Sequence, residues 1–139
     1  MAGTHTESQN REIKFRAWDI ISKQWINTFK IVLSIDGDYM AISDINGEIY
    51  GAHQILLLQY TGLKDNFGKE IYEGDIVEIQ LLKCKPQIIK VAWVDNLYDD
   101  NGAFYSGWNI PTSYEGGALY TRIVIDNRFD NPEMWEATE

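Results

Sequence analysis

Three places in the chain bring together residue types and spacings that could do chemistry. Asp99 and Asp100 are adjacent carboxylates, the raw material of general acid–base catalysis. Cys84 stands between Lys83 and Lys85, cations that favour a nucleophilic thiolate. Asp44-Ile-Asn-Gly-Glu48 sets oxygen ligands at short intervals, as the start of a calcium loop does. None of the three is complete. Neighbours in an extended chain point to opposite sides, so Asp99 and Asp100 do not converge, and no base or nucleophile accompanies them. A nucleophilic cysteine needs a histidine base, and the only histidines are His5 and His53. An EF-hand loop needs about twelve residues with ligands at fixed offsets between two helices. With Cys84 as the single cysteine, neither an intrachain disulfide nor a thiolate zinc site can form within the chain. The residues predict no catalytic group, no metal site and no cofactor.

Charge narrows the class of partner. The formal net charge is −9, and it is unevenly placed: residues 95–139 hold 9 acidic and 2 basic side chains, against 12 and 10 in residues 1–94. Nucleic-acid binders draw most of their affinity from neutralising phosphates with Lys and Arg, so no direct nucleic-acid binding is expected. In the same acidic stretch aromatics interleave with acids: Tyr98, Asp99, Asp100, Phe104, Tyr105, Trp108, Tyr114 and Glu115. Alternation puts Phe104, Ser106 and Trp108 on one face of a strand and Tyr105 and Gly107 on the other. Two readings stand: a binding surface, or Phe104 and Trp108 in the core beside a solvated loop.

The elements that must position these residues are strands. At 139 residues with 45% hydrophobic and 13% aromatic content the chain can build one domain, or two small ones sharing a core. Ile13 to Asp19 alternates as a strand. Trp25–Phe29, Ile31–Ile35 and Tyr39–Ile42 follow, with Asp36-Gly37 and Asn46-Gly47 as hairpin turns. The apolar run Ile55–Leu58 leads through Tyr60 into Lys64-Asp-Asn-Phe-Gly68, where Gly68 is the natural left-handed position. Gly74-Asp75 is a second bend, into the half-buried strand Ile76–Leu82, and Asp75 reads as an acceptor for amides of its own turn. Gln87–Val94 reads as one strand, Asp95–Gly102 as a polar surface loop, and Phe104–Ile110 and Leu119–Ile125 as two further strands. Asn131 and Pro132 predict the start of a short helix, with Met134 and Trp135 as its buried face. Residues 1–10 are small and polar and predict a disordered tail without a secretory signal. No apolar run approaches the roughly 18 residues of a membrane helix. A soluble, cytoplasmic protein is expected.

The stretch from Gln59 to Val77, QYTGLKDNFGKEIYEGDIV, resembles the central signature of the YopX family of phage and prophage proteins, which runs close to QYTGLKDKNGKEIYEGDIV. Arg11 to Asp19 is similar to the family's opening strand. Asp126 to Met134 resembles its closing segment, in which a Gly-Asn pair precedes an ENPEL-type helix start. The resemblance spans residues 11–137. It departs at Phe67, where the family has a small polar turn residue, and at Asp126 and Arg128, where it has Gly and an apolar residue. What the resemblance implies is a phage or prophage setting, a C-terminal β-barrel of SH3 type and no catalytic residue to transfer.

The resulting expectation is an all-β protein: a tail over 1–10, an N-terminal β-region over 11–54 packed against a C-terminal SH3-type β-barrel over 55–139, and a short C-terminal helix. Barrels of this type hold proline-rich or basic peptides in grooves lined by aromatics and rimmed by acids. The expected function is therefore a non-catalytic protein-binding module with Tyr98, Asp99, Asp100, Tyr105, Tyr114 and Glu115 as binding residues and a protein partner, basic or host-derived. The alternative is an acidic mimic of DNA that inhibits a host nucleic-acid-binding protein; an enzyme is the weakest of the three. Exposed strand edges leave homo-oligomers open.

Overall fold

The computed structural model describes residues 12–34, 40–81, 85–98, 101–111 and 120–138. These residues are mostly β-strand with one short C-terminal helix, and the chain divides into two compact units, Lys14–Gln59 and, together with the segment through Ile13, Tyr60–Glu139.

The first unit holds β1 (Phe15–Asp19), β2 (Gln24–Ile26), β3 (Phe29–Leu33), β4 (Met40–Asp44), β5 (Ile49–Gly51) and the first half of β6 (Ile55–Lys64). Its pairings are all antiparallel, in the orders β2-β1-β6 and β3-β4-β5. Ala17, Ile42 and Ile55 form its core, with Ile26, Phe29, Met40, Tyr50 and Leu57 packed around them. Turn carboxylates hold the hairpins. Asp19 accepts from the Ile21 amide at 2.9 Å and the Ser22 hydroxyl at 2.8 Å. Burial opposes its charge, but hydrogen bonds from Ser22, Ile21 and Gln54 prevail and hold its carboxyl below the ordinary value. Asp44 accepts from the amides of Asn46 and Glu48, so the residues that resemble a calcium loop make a local turn. Among the described residues no group of three or more His, Cys, Asp or Glu could hold a metal ion. The Asp36-Gly37 turn, Cys84 and His5 lie outside the described residues.

The second unit contains the rest of β6, β7 (Glu70–Tyr72), β8 (Asp75–Leu81), β9 (Gln87–Lys90), β10 (Trp93–Tyr98), β11 (Phe104–Trp108), β12 (Tyr120–Asn127) and helix α1 (Pro132–Ala137). Strand β8 lies between β12 and β9, while β10 and β11 form a two-stranded sheet of their own. Ile71, Val77, Ile79, Val91 and Ile110 make the core, with Leu63, Ile89, Trp108 and Val124 against it. Among the described residues no helix is long and apolar enough to cross a membrane.

Several signature residues between Tyr60 and Asp75 have a geometric task. Tyr60 is buried with its ring 5.4 Å from that of Tyr72. The β6–β7 register breaks between Tyr60 and Lys64, and the Thr61 hydroxyl spans the break, donating to the Ile71 carbonyl at 2.8 Å and accepting from the Leu63 amide at 3.1 Å. Gly68 has φ +82°, and a methyl added there would meet nothing within 4 Å, so backbone conformation alone selects glycine. Asp75 accepts from the Tyr72 amide at 2.8 Å, the local role its turn predicts.

Three expectations about strands are corrected. Trp25–Phe29 is not one strand, since β2 ends at Ile26 and β3 begins at Phe29. Gln87–Val94 is not one strand: the ladder with β8 ends at Lys90, the Val91 amide turns to the Asp75 carbonyl, and β10 begins at Trp93. The supposed loop from Asp95 is instead strand as far as Tyr98, because pairing to β11 satisfies its backbone while the Asp95 and Tyr98 side chains stay in water. At the C-terminus Asn131 caps α1 by accepting from the Met134 amide at 3.1 Å, with Pro132 in the first turn. Met134 and Trp135 are half-buried rather than buried, since Lys90 and Arg128 cover the Trp135 ring from 5.2 and 5.7 Å.

Candidate functional site

The β10–β11 hairpin is fixed at its base and open along one face. Asn109 fixes the base: its amide donates to the Ala92 carbonyl, its Oδ1 accepts from the Ala92 amide at 3.0 Å, and its Nδ2 donates to the Lys90 carbonyl at 2.7 Å. One side chain thus substitutes for a strand neighbour just where β9 hands over to β10. Trp108 then packs on the core and meets Trp93 edge-on, with centroids 5.3 Å apart and planes at 89°. In the next position the Ser106 hydroxyl donates to Asp95 Oδ1 at 2.8 Å. Nearest the turn, Tyr98 and Phe104 lie with centroids 4.4 Å apart.

A shift of register between Val94 and Leu97 creates this order. Strict alternation would send Tyr98 to the face opposite Trp93 and Asp95; one irregular step brings it back. The result is a ring pair, a carboxylate–hydroxyl pair and a second ring pair in sequence on one face. Exposure persists through it: Trp93 is 53% exposed, Tyr98 63% and Phe104 64%. Edge-to-face and tilted contacts order the rings relative to one another without covering them.

Of the residues expected to bind, Tyr98 is in this face. Tyr105 enters through its backbone, which pairs with Leu97. Asp99, Asp100, Tyr114 and Glu115 lie outside the described residues. Phe104 and Trp108 divide between the two sequence readings: Trp108 joins the core, and Phe104 does not. Trp93, Asp95 and Ser106 were missed. The usable signal for them was Trp93 at a strand start with Ser106 and Trp108 at the spacing of one strand face.

A second concavity, about 220 Å³, is lined by Lys64, Asp65, Asn66 and Arg122. It is smaller than the roughly 300 Å³ at which ligand pockets begin. Its polar groups are also occupied by the fold. Asp65 accepts from the Phe67 and Lys69 amides through Oδ1 and from the Val124 amide through Oδ2. Arg122 donates to the Lys64 and Pro111 carbonyls. Burial works against the Asp65 charge, but the amides of Val124, Lys69 and Phe67 overcome it and hold the carboxyl below its ordinary value. This concavity is the joint between the signature hairpin and β12.

The fold thus defines a small, mostly β-stranded protein closed by a short helix, with an aromatic hairpin face open to solvent. It belongs to the YopX family: the family described as YopX protein matches residues 14–136, as the three sequence motifs implied. Among solved structures, protein EF1440 from Enterococcus faecalis is similar, with a TM-score of 0.58 and 23% identity over 90% of this chain and 99% of that one. At that identity the likeness shows the fold alone. No curated protein matches the chain.

Proposed function

We propose that the chain is a non-catalytic protein-binding module, encoded by a phage or prophage and working in the host cytoplasm, whose docking surface is the β10–β11 face. The observation that carries the proposal is the exposure of Trp93, Tyr98 and Phe104 on that one face. Aromatic side chains present about 150–250 Å² each, so covering the exposed half of one ring is worth roughly 2 kcal/mol. Rings ordered in advance by their neighbours also lose little freedom on binding. The non-catalytic part rests on residue types: one cysteine, two histidines and no sequence motif that pairs a nucleophile with a base.

DNA mimicry has less support, because the net charge of −9 is modest for a polyanion mimic and residues 1–94 are nearly balanced, with 12 acidic and 10 basic side chains. We also read the strands from Tyr60 onward as a barrel of SH3 type. The support is the bend at Gly74-Asp75 and the register break between Val124 and Asp126, both devices that curve sheets. Inter-strand NOEs that close the strands into a ring would test it.

The functional test is affinity capture from host lysate with three baits. Wild type and Phe67→Ala, which alters the 80% exposed ring at the other hairpin, should recover the same protein. Trp93→Ala with Phe104→Ala should lose it. Equal recovery by all three baits would remove β10–β11 as the surface, and competition by duplex DNA would favour mimicry.

A further inference from the structure

We infer that the β10–β11 face recognises an arginine side chain in an extended segment of the partner, with the guanidinium seated on Asp95 between the two ring pairs. This rests on the reading of β10–β11 as the docking surface and adds the chemistry of what docks there. Asp95 is an exposed carboxylate placed between Trp93–Trp108 and Tyr98–Phe104. Its Oδ1 takes the Ser106 hydroxyl at 2.8 Å, which orients the group. A carboxylate offers about four lone-pair positions, so one hydrogen bond leaves it able to accept a two-pronged donor.

Rings on both sides of that carboxylate select among cations. Strand residues two apart on one face are separated by about 7 Å, so each ring pair lies within one side chain's reach of a cation bound at Asp95. A guanidinium can lie flat on a ring while its edge pairs with the carboxylate, whereas an ammonium is a compact, strongly hydrated point charge. The chain itself seats cations on rings: the Arg16 guanidinium lies 4.5 Å over Trp25, that of Arg128 lies 5.6 Å from Phe129 and 5.7 Å from Trp135, and the Lys90 ammonium lies 5.2 Å over Trp135.

Charge complementarity favours an external cation. Residues 95–139 hold 9 acidic and 2 basic side chains, and both basic ones are committed elsewhere. Arg122 donates to the Lys64 and Pro111 carbonyls, and Arg128 lies against Phe129 and Trp135. The exposed rings supply apolar contact on either side of the bound cation, for partner residues two positions before and after the arginine.

The test is an NMR titration of the full chain with three capped nine-residue peptides of sequence GSPGXGPSG, where X is arginine, lysine or citrulline. Citrulline keeps the planar shape and removes the charge. The expected result is shifts centred on the Trp93 indole N–H and the amides of Asp95, Ser106 and Tyr98, with arginine bound about fivefold more tightly than lysine and more tightly still than citrulline. Asp95→Asn should lower arginine binding to the citrulline level. Arginine and lysine bound equally would overturn the guanidinium assignment. Citrulline bound as tightly as arginine at the same rings would overturn the cationic partner and leave the docking surface standing. Saturation with all three peptides and no shift at these residues would overturn both.

Discussion

Two hairpins of the second unit spend their distinctive residues in opposite ways. In β6–β7 four signature side chains serve the fold: Thr61 bridges a break in the ladder, Asp65 collects three amides, Tyr60 packs on Tyr72, and Asp75 closes the following bend, while Phe67 stays 80% exposed. In β10–β11 Trp93, Tyr98 and Phe104 are left in water, and the hydrogen bond from Ser106 to Asp95 joins side chains that both remain exposed. The first hairpin reads as a signature because folding constrains it from all sides. In the second, Trp93, Tyr98 and Phe104 stand outside the core, which is the better mark of a working surface. Dense specification and function thus sit on different hairpins of the same unit.

The comparison breaks most visibly at Asp65. Removing its carboxylate strands the amides of Phe67, Lys69 and Val124, and Asp65→Ala should cost on the order of 3 kcal/mol or more in urea denaturation. A loss below about 1 kcal/mol would mean that the signature is not held as described. The same group sets an acid limit. Its folded pKa is depressed, so its contribution is complete above the unfolded value of about 3.9 and disappears as pH falls through the lower folded value. Wild type should therefore lose stability below about pH 4 more steeply than Asp65→Asn, which has no carboxyl there to protonate.

Next in size is the loss of partner binding at the other hairpin. Trp93→Ala with Phe104→Ala should weaken the complex about a hundredfold, the scale of two buried aromatic anchors, while changing the unfolding midpoint little. Isothermal titration of the purified partner checks the first part and urea denaturation the second. A large stability loss with unchanged affinity would reverse the roles assigned to the two hairpins. Thr61→Val stands below it, at about 1–2 kcal/mol of stability, because it removes a buried hydroxyl that pairs with both the Ile71 carbonyl and the Leu63 amide.

What the sequence revealed and concealed follows the same division. Gly68, Asp75 and the Asn131 cap were legible because each solves a local backbone problem that few residue types solve. The β10–β11 face was concealed by its register shift between Val94 and Leu97, since periodicity carries no signal for where an irregular step falls. Polarity misled in the same place. Asp95 suggests a loop, yet a paired strand accepts it without penalty at a position whose side chain is exposed. Trp93 misled in the other direction, since a large ring next to Val91 suggested a core strand, and only Val91 is buried.

The smallest expected effect separates the hairpins most cleanly. Gly68→Ala places a methyl in open space at φ +82°, so its cost is the left-handed backbone alone, about 1 kcal/mol in urea denaturation, with partner affinity unchanged. Asp95→Asn keeps the shape of an exposed side chain and its bond from Ser106, so stability should stay within about 0.5 kcal/mol while binding of an arginine peptide falls. One substitution alters folding without recognition, the other recognition without folding. Were Asp95→Asn instead to destabilise the protein as much as Gly68→Ala, Asp95 would belong to the hairpin's framework, and the aromatic rings alone would define the surface.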